Sequence, residues 1–144
     1  MAELPKTLKS LLGDVVTMYF QAHGYHWNVE GQDFSQYHSL FESVYEDVYG
    51  SIDPIAENVR KLNDYAPLTL QRFIDERTID FKDVEPNPKA MAKELLKTNE
   101  ALLKQLNDAF AVATKENQQG IANFIAERID MHQKWSWQLR ASTK

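Results

Sequence analysis

The chain has 144 residues, of which 43% are hydrophobic and 26% charged, with a formal net charge of -5 and no cysteine. This balance is typical of a soluble globular protein, and the absence of a composition break predicts a single domain over residues 1–144. The lack of cysteine excludes disulfides and thiolate metal sites. The negative charge argues against DNA binding, and Lys6, Lys9, Arg140 and Lys144 near the two ends do not form polybasic arms.

No apolar run approaches the roughly 18 to 20 residues that a membrane-spanning helix needs. The N-terminal residues Met-Ala-Glu-Leu-Pro-Lys also lack the basic start and apolar stretch of a secretory signal. We therefore expect a cytoplasmic protein with no membrane partner.

The first helix is predicted from apolar residues that recur at intervals of three and four, as they do on one face of a helix. These residues are Leu4, Leu8, Leu11, Leu12, Val15, Tyr19 and Ala22. The helix should end at His26 or Asn28, because Gly31 and Asp33 mark a loop. A second helical pattern then occupies residues 34–62.

A turn-rich stretch at residues 63–67 ends the second pattern and precedes a short helix expected at residues 68–77. Asn87 and Pro88 have the character of an N-cap followed by proline in the first turn of a third long helix. A polar break at residues 117–120 separates it from the fourth. The sequence thus predicts an all-α protein, a four-helix bundle with a short extra helix in the connection between helices 2 and 3.

Histidines and acids gather between His26 and Glu57. On the second helix His38 and Glu42 lie four residues apart, and Asp53 and Glu57 repeat this spacing eleven residues later. Because eleven steps of about 100° return almost to the starting angle, the four side chains of the second helix share one stripe. His26 ends the first helix on the side that can face this stripe. Mixed imidazole and carboxylate ligands of this kind suit iron, manganese or zinc.

One ion cannot bind both halves of this stripe, because Glu42 and Asp53 are about 16 Å apart along the helix at roughly 1.5 Å per residue. Either the chain carries two half-sites or a second subunit completes each site. A two-fold axis between antiparallel copies of the helix would bring Asp53 and Glu57 of one chain opposite the histidine end of the other. Such an interface makes two identical composite sites per dimer.

Structural explanations of the same residues stay open. An acidic pair four residues apart is most often solvated, and His26 and His38 could be satisfied core histidines. Glu46 lies on the same face, so the choice of acids is not unique. Pro54 falls within the second helix, where it removes a hydrogen bond, and Asp53 could cap a helix restart instead of binding metal.

The other two histidines, His23 and His132, have no comparable pattern around them. His132 shares a face with Ile125 and Leu139, which predicts a core histidine. A di-iron site inside the bundle would need Glu-x-x-His on two helices. No glutamate in the chain has a histidine three residues later, so this alternative ranks low.

The stretch 26–31 is His-Trp-Asn-Val-Glu-Gly, and it is followed by Phe34 and His38. This segment resembles the signature of the Dps mini-ferritins, the starvation-induced DNA-protection family within the ferritin-like superfamily. Residues 55–60, Ile-Ala-Glu-Asn-Val-Arg, are similar to the Ala-Glu-Arg segment of that family. Residues 137–140, Trp-Gln-Leu-Arg, resemble its closing Trp-x-Leu.

The resemblance implies iron storage by a ferroxidase that converts Fe(II) to a ferric mineral core and protects against oxidative damage. Hydrogen peroxide is the favoured oxidant that it implies, with oxygen as the alternative. It also implies a dodecameric shell built from two-fold dimers, with a mono-iron or di-iron site at each dimer interface. The ligands carried over by position are His26, His38 and Glu42 from one chain and Asp53 and Glu57 from its partner. The alternative is a structural or DNA-associated shell protein with a degenerate metal site.

By the same resemblance Trp27, beside the site, would take up oxidising equivalents, unless it only fills the helix end. Two departures from the family pattern concern iron. The first acid is usually aspartate, and Glu42 is one methylene longer. Residues 115–123 are rich in amides where the family often has acids that line pores, so iron uptake would rely on Glu127, Asp130 or another route.

Overall fold

The computed structural model describes residues 3–83 and 86–144, and these residues contain five helices and no strand. The helices are α1 (Leu4–Asn28), α2 (Phe34–Lys61), α3 (Leu70–Glu76), α4 (Pro88–Lys115) and α5 (Gln119–Ser142). The predicted all-α class, the four long helices and the short helix in the connection are confirmed. None of the helices in this part of the chain is both long and apolar enough to cross a membrane.

Contacts between helix ends fix the directions of the bundle. The backbone N–H groups of Glu3 and Leu4 donate to the Glu116 carboxylate, so α1 begins where α4 ends. Lys9, near the start of α1, forms an ion pair with Asp64, just after the end of α2. Since α2 and α4 both run antiparallel to α1, they run parallel to each other, and the chain between them must cross the length of the bundle.

The connection crosses the bundle along α1. Asp14 of α1 is fully buried and accepts hydrogen bonds from the backbone N–H groups of Thr78 and Ile79 and from the Thr78 hydroxyl. At the far end the Pro86 carbonyl accepts from the Glu30 N–H, just beyond the end of α1. The Asp14 carboxylate thus anchors the middle of the connection, while Pro86 anchors its end.

Gly13 lets α3 approach α1 closely, because a Cβ at this position would lie 2.7 Å from the Phe73 carbonyl oxygen and 2.9 Å from the Arg77 nitrogen. Backbone atoms cannot move aside as a flexible side chain can. We therefore expect Gly13→Ala to lower the free energy of unfolding by about 1–3 kcal/mol.

Gly24, on the same helix, is the matched control, since a Cβ there would meet nothing within 4 Å. Gly24→Ala should raise the free energy of unfolding by up to about 1 kcal/mol through better helix propensity. Urea denaturation measures both variants. Changes of the same sign and size would contradict the close approach at Gly13.

α2 is continuous through Pro54, so the alternative that Asp53 caps a helix restart is wrong. Proline removes the N–H that would have donated to the Gly50 carbonyl. Gly50 is exposed, and water can satisfy that carbonyl in place of the lost donor. Asp53 is accordingly an exposed residue within a regular helix.

The interior between the four long helices is apolar over most of its length. Its largest fully buried side chains are Leu4, Leu8, Leu11, Leu12, Met18, Phe41, Ile55, Leu95, Leu102, Leu106, Ile125 and Leu139. These residues belong to the apolar faces of the four long helices. Burial of these faces is the main term that stabilises the bundle.

A charged network interrupts the apolar interior and joins α2, α4 and α5. The Arg128 guanidinium donates to both oxygens of the Asp47 carboxylate, at 2.9 and 2.8 Å, and the Trp135 indole N–H donates to the same carboxylate at 2.7 Å. Arg128 also donates to His132 Nε2 at 2.8 Å. His132 Nδ1 lies 2.7 Å from the Asn99 side-chain oxygen, so it carries the proton of a neutral imidazole.

His132 is buried, as predicted, and desolvation together with the Arg128 charge lowers its pKa from 6.5 to about 3. Between these two values the unfolded state binds more protons than the folded state. The free energy of unfolding should therefore fall as the pH drops below about 6.5, with a slope approaching about 1.4 kcal/mol per pH unit from this group.

Glutamine does not titrate, so His132→Gln is expected to remove the histidine's part of the slope of unfolding free energy against pH. The contribution of carboxylates below about pH 4 should remain. Urea unfolding of both proteins at several pH values between about 7 and 5 measures the difference. The same slope in both proteins would show that another group is responsible.

Candidate metal-binding site

His26, His38 and Glu42 converge where the end of α1 meets the first turns of α2, and one ligand atom of each lies within 4.8 Å of the others. Because a short loop joins the two helices, the histidine rings lie side by side. Their centroids are 3.7 Å apart and their planes are inclined by 18°. The structure therefore brings together three of the five ligands expected from the sequence.

Reciprocal hydrogen bonds orient the two imidazoles. His26 Nδ1 lies 2.9 Å from the His38 carbonyl oxygen, and His38 Nδ1 lies 2.7 Å from the His26 carbonyl oxygen. Since a carbonyl only accepts, each Nδ1 carries a proton, and in the neutral ring the lone pair then lies on Nε2. A backbone partner on one ring nitrogen is typical of histidines that bind metal through the other.

The carboxylate of Glu42 completes the cluster. Its Oε1 atom lies 4.0 Å from His26 Nδ1, too far for a hydrogen bond but close enough for electrostatic attraction to that N–H. Two imidazoles and one carboxylate fit a divalent transition metal such as Fe(II) and leave coordination positions for further oxygen ligands.

Asp53 and Glu57 do not join this cluster within one chain. Both are exposed on α2, further along the same continuous helix. The rise of a helix separates Asp53 from Glu42 by about 16 Å. One chain therefore presents two separate parts, a converging set of three ligands and an exposed acidic pair.

Trp27 is 63% exposed, so within one chain its side chain is not buried at the helix end. Its ring packs on His23, with centroids 4.0 Å apart. His23 stacks on Tyr45 at 3.8 Å, and the Tyr45 ring lies 5.1 Å from that of His26. Sequence reasoning gave His23 no role. The sequence indicates His23 only through its position on α1, the helix that carries His26. Its stacking partner Tyr45 belongs to α2, so the contact depends on tertiary packing.

Residues 115–123 contain a single acid, Glu116. Its carboxylate accepts hydrogen bonds from the backbone N–H groups of Glu3 and Leu4, the first two residues that the structure describes. Glu127 and Asp130 are exposed on α5. The amide-rich segment therefore offers no uncommitted carboxylate, whereas the two acids of α5 face solvent.

Comparison with known proteins agrees with the fold. The family model described as "Ferritin-like domain" matches residues 5–144 of the chain. The "DNA protection during starvation protein" of Helicobacter pylori is 28% identical over 135 residues, which is 93% of this chain and 94% of that protein.

Two solved structures, each 25% identical, are similar over 99% of this chain. Dps from Thermosynechococcus elongatus has a TM-score of 0.94 with 90% of its chain covered, and the DPS protein from Vibrio cholerae O1 has a TM-score of 0.92 with 89% covered. The latter is described as a member of a broad superfamily of ferritin-like diiron-carboxylate proteins. The chain belongs to the ferritin-like domain family. Within that family it is a Dps-like mini-ferritin.

Proposed function

We propose that this protein stores iron in the cytoplasm and that it is a ferroxidase, which oxidises its substrate Fe(II) to a ferric mineral and so limits oxidative damage. The observation that carries the proposal is the convergence of His26, His38 and Glu42, of which one ligand atom each lies within 4.8 Å of the others. Hydrogen peroxide is the proposed oxidant, with oxygen as the alternative.

The proposed iron site is composite, because three side chains of one chain leave the metal short of ligands. Asp53 and Glu57 of a second copy, related by a two-fold axis, would supply the missing oxygen ligands. Tyr49, four residues before Asp53 on the same face of α2, is 61% exposed. Its exposed ring lies between the two halves of the ligand stripe, on the face that the second copy would cover.

The dimers are proposed to assemble further into a dodecameric shell that encloses the mineral. Whether one or two irons bind at each site depends on how the acids of the partner share the metal. Trp27 is the proposed acceptor of oxidising equivalents that escape the site, and its ring contacts reach the site through His23 and Tyr45.

Light scattering and metal analysis of one sample, followed by addition of Fe(II) and then hydrogen peroxide, test the proposal. We expect the mass of a dodecamer and a ferric absorbance that grows faster than in buffer. A monomer that binds no iron and adds nothing to the rate in buffer would contradict it. An assembled shell that binds no iron would instead favour a structural protein with a degenerate site.

The name of the Helicobacter pylori relative raises DNA protection as a second possibility. The net charge of -5 does not support it. A gel shift that persists near physiological salt would show DNA binding and contradict this assessment.

A further inference from the structure

Aromatic side chains of α1 and α2 form a connected cluster beside the candidate metal site. The Tyr19 hydroxyl oxygen lies 2.8 Å from His23 Nδ1. His23 stacks face to face on Tyr45, with centroids 3.8 Å apart and planes inclined by 10°, and the Tyr45 ring lies 5.1 Å from that of the proposed ligand His26. Tyr19, His23 and Tyr45 therefore form a continuous path of ring contacts that ends at the site.

The hydrogen bond between Tyr19 and His23 has a preferred direction. A phenol O–H is a stronger acid than a neutral imidazole N–H, so Tyr19 donates and Nδ1 of His23 accepts.

Packing alone does not require the Tyr19 hydroxyl or the His23 ring nitrogens, because phenylalanine at position 19 or 23 would fill a similar volume. The pair instead has the arrangement that makes a tyrosine easy to oxidise at neutral pH, since the phenolic proton has an acceptor at hydrogen-bond distance. We propose that Tyr19, with His23 as its proton acceptor, is a one-electron donor to the candidate metal site through the Tyr45 ring.

The donor is needed when a site holds one Fe(II) and meets hydrogen peroxide. Breaking the O–O bond to give two hydroxide ions takes two electrons, and one Fe(II) supplies one of them. Tyr19 supplies the other and becomes a neutral tyrosyl radical, while its proton moves to His23 Nδ1. No hydroxyl radical is released. A later Fe(II) returns the electron to Tyr19, and His23 returns the proton.

The role in peroxide reduction rests on the proposed function, but the transfer itself can be tested in metal-free protein. Azide radicals made by pulse radiolysis oxidise tryptophan, and the tryptophanyl absorption should decay as the tyrosyl absorption grows. Tyr19→Phe keeps the ring without the hydroxyl and should lose most of the tyrosyl growth. His23→Phe keeps an aromatic ring without the acceptor and should slow the growth severalfold.

Tyr65→Phe is the matched control, because Tyr65 is exposed and its ring packs on the Arg60 guanidinium instead of in the cluster. It should retain the tyrosyl growth of the wild type. Equal growth in the wild type and in Tyr19→Phe would overturn the assignment, whether or not the protein oxidises iron.

The second arm adds hydrogen peroxide to protein loaded with one Fe(II) per site. The wild type should give a tyrosyl signal in electron paramagnetic resonance, and Tyr19→Phe should give spin-trapped hydroxyl radical in its place. Equal yields of trapped radical from the two proteins, with iron oxidised in both, would overturn the role in peroxide reduction. If the wild type oxidises no iron, the proposed function fails, and the metal-free arm still decides whether Tyr19 is the electron donor.

Discussion

The double variant His38→Ala/Asp53→Ala should lose the rapid growth of ferric absorbance after Fe(II) and hydrogen peroxide are added. Each composite site of a two-fold dimer would lose an imidazole from one chain and a carboxylate from the other. Loss of a residue that only orients a metal ligand typically costs 10- to 100-fold, so removal of two ligands should slow oxidation by more than about 100-fold. Stopped-flow absorbance measures the rate.

The control for this variant is Asp108→Ala, which removes an exposed acid from α4, far along the sequence from the ligand stripe. It should oxidise iron at the rate of the wild type. If the double variant were equally fast, the assignment of His38 and Asp53 as ligands would be wrong.

The largest expected effect on stability comes from Asp47→Ala. This change leaves the mostly buried Arg128 without its counter-charge and the Trp135 indole N–H without its acceptor. Removal of one partner from a buried ion pair typically costs about 3–5 kcal/mol, because the other charge stays buried and uncompensated. Urea denaturation at neutral pH measures the loss.

The stabilisation that Asp47 provides depends on pH. Desolvation raises the pKa of Asp47, but the hydrogen bonds from Arg128 and Trp135 outweigh it, and the net pKa lies below its usual value of 3.8. The stabilisation is therefore present at neutral pH and is lost as the pH falls below that value, when the carboxylate becomes protonated.

Glu100→Ala is the matched control, because Glu100 pairs with Arg140 at 3.9 Å and both side chains are half exposed. An exposed pair of this kind contributes about 0–1 kcal/mol. If Asp47→Ala were no more destabilising than Glu100→Ala, the buried network would not stabilise the bundle as argued.

The long helices could be predicted from the sequence because each buries one face. The apolar residues of that face recur at intervals of three and four, which is the pattern that predicts a helix. The charged network could not be predicted in the same way. Arg128 occupies a core position between Ile125 and His132 on the buried face of α5, which is a signal in itself. Its partner Asp47 lies 81 residues earlier, so only tertiary packing shows that the charge is compensated.

The two halves of the ligand stripe were predictable because helix geometry alone fixes the angles between residues of α2. The reciprocal Nδ1 hydrogen bonds of His26 and His38 were not, since they depend on how closely α1 packs against α2. The same holds for His23, whose stacking on Tyr45 joins the two helices. Asp53 and Glu57 stay predictions, because the ligands proposed to face them belong to a second chain.

The most direct test of the composite site mixes the single variants His38→Ala and Asp53→Ala after dissociation and then allows them to reassemble. Roughly half of the dimers should be mixed, and each should contain one intact site, so roughly a quarter of the wild-type oxidation capacity should return. A mixture no more active than the two variants measured separately would contradict a site shared between two chains.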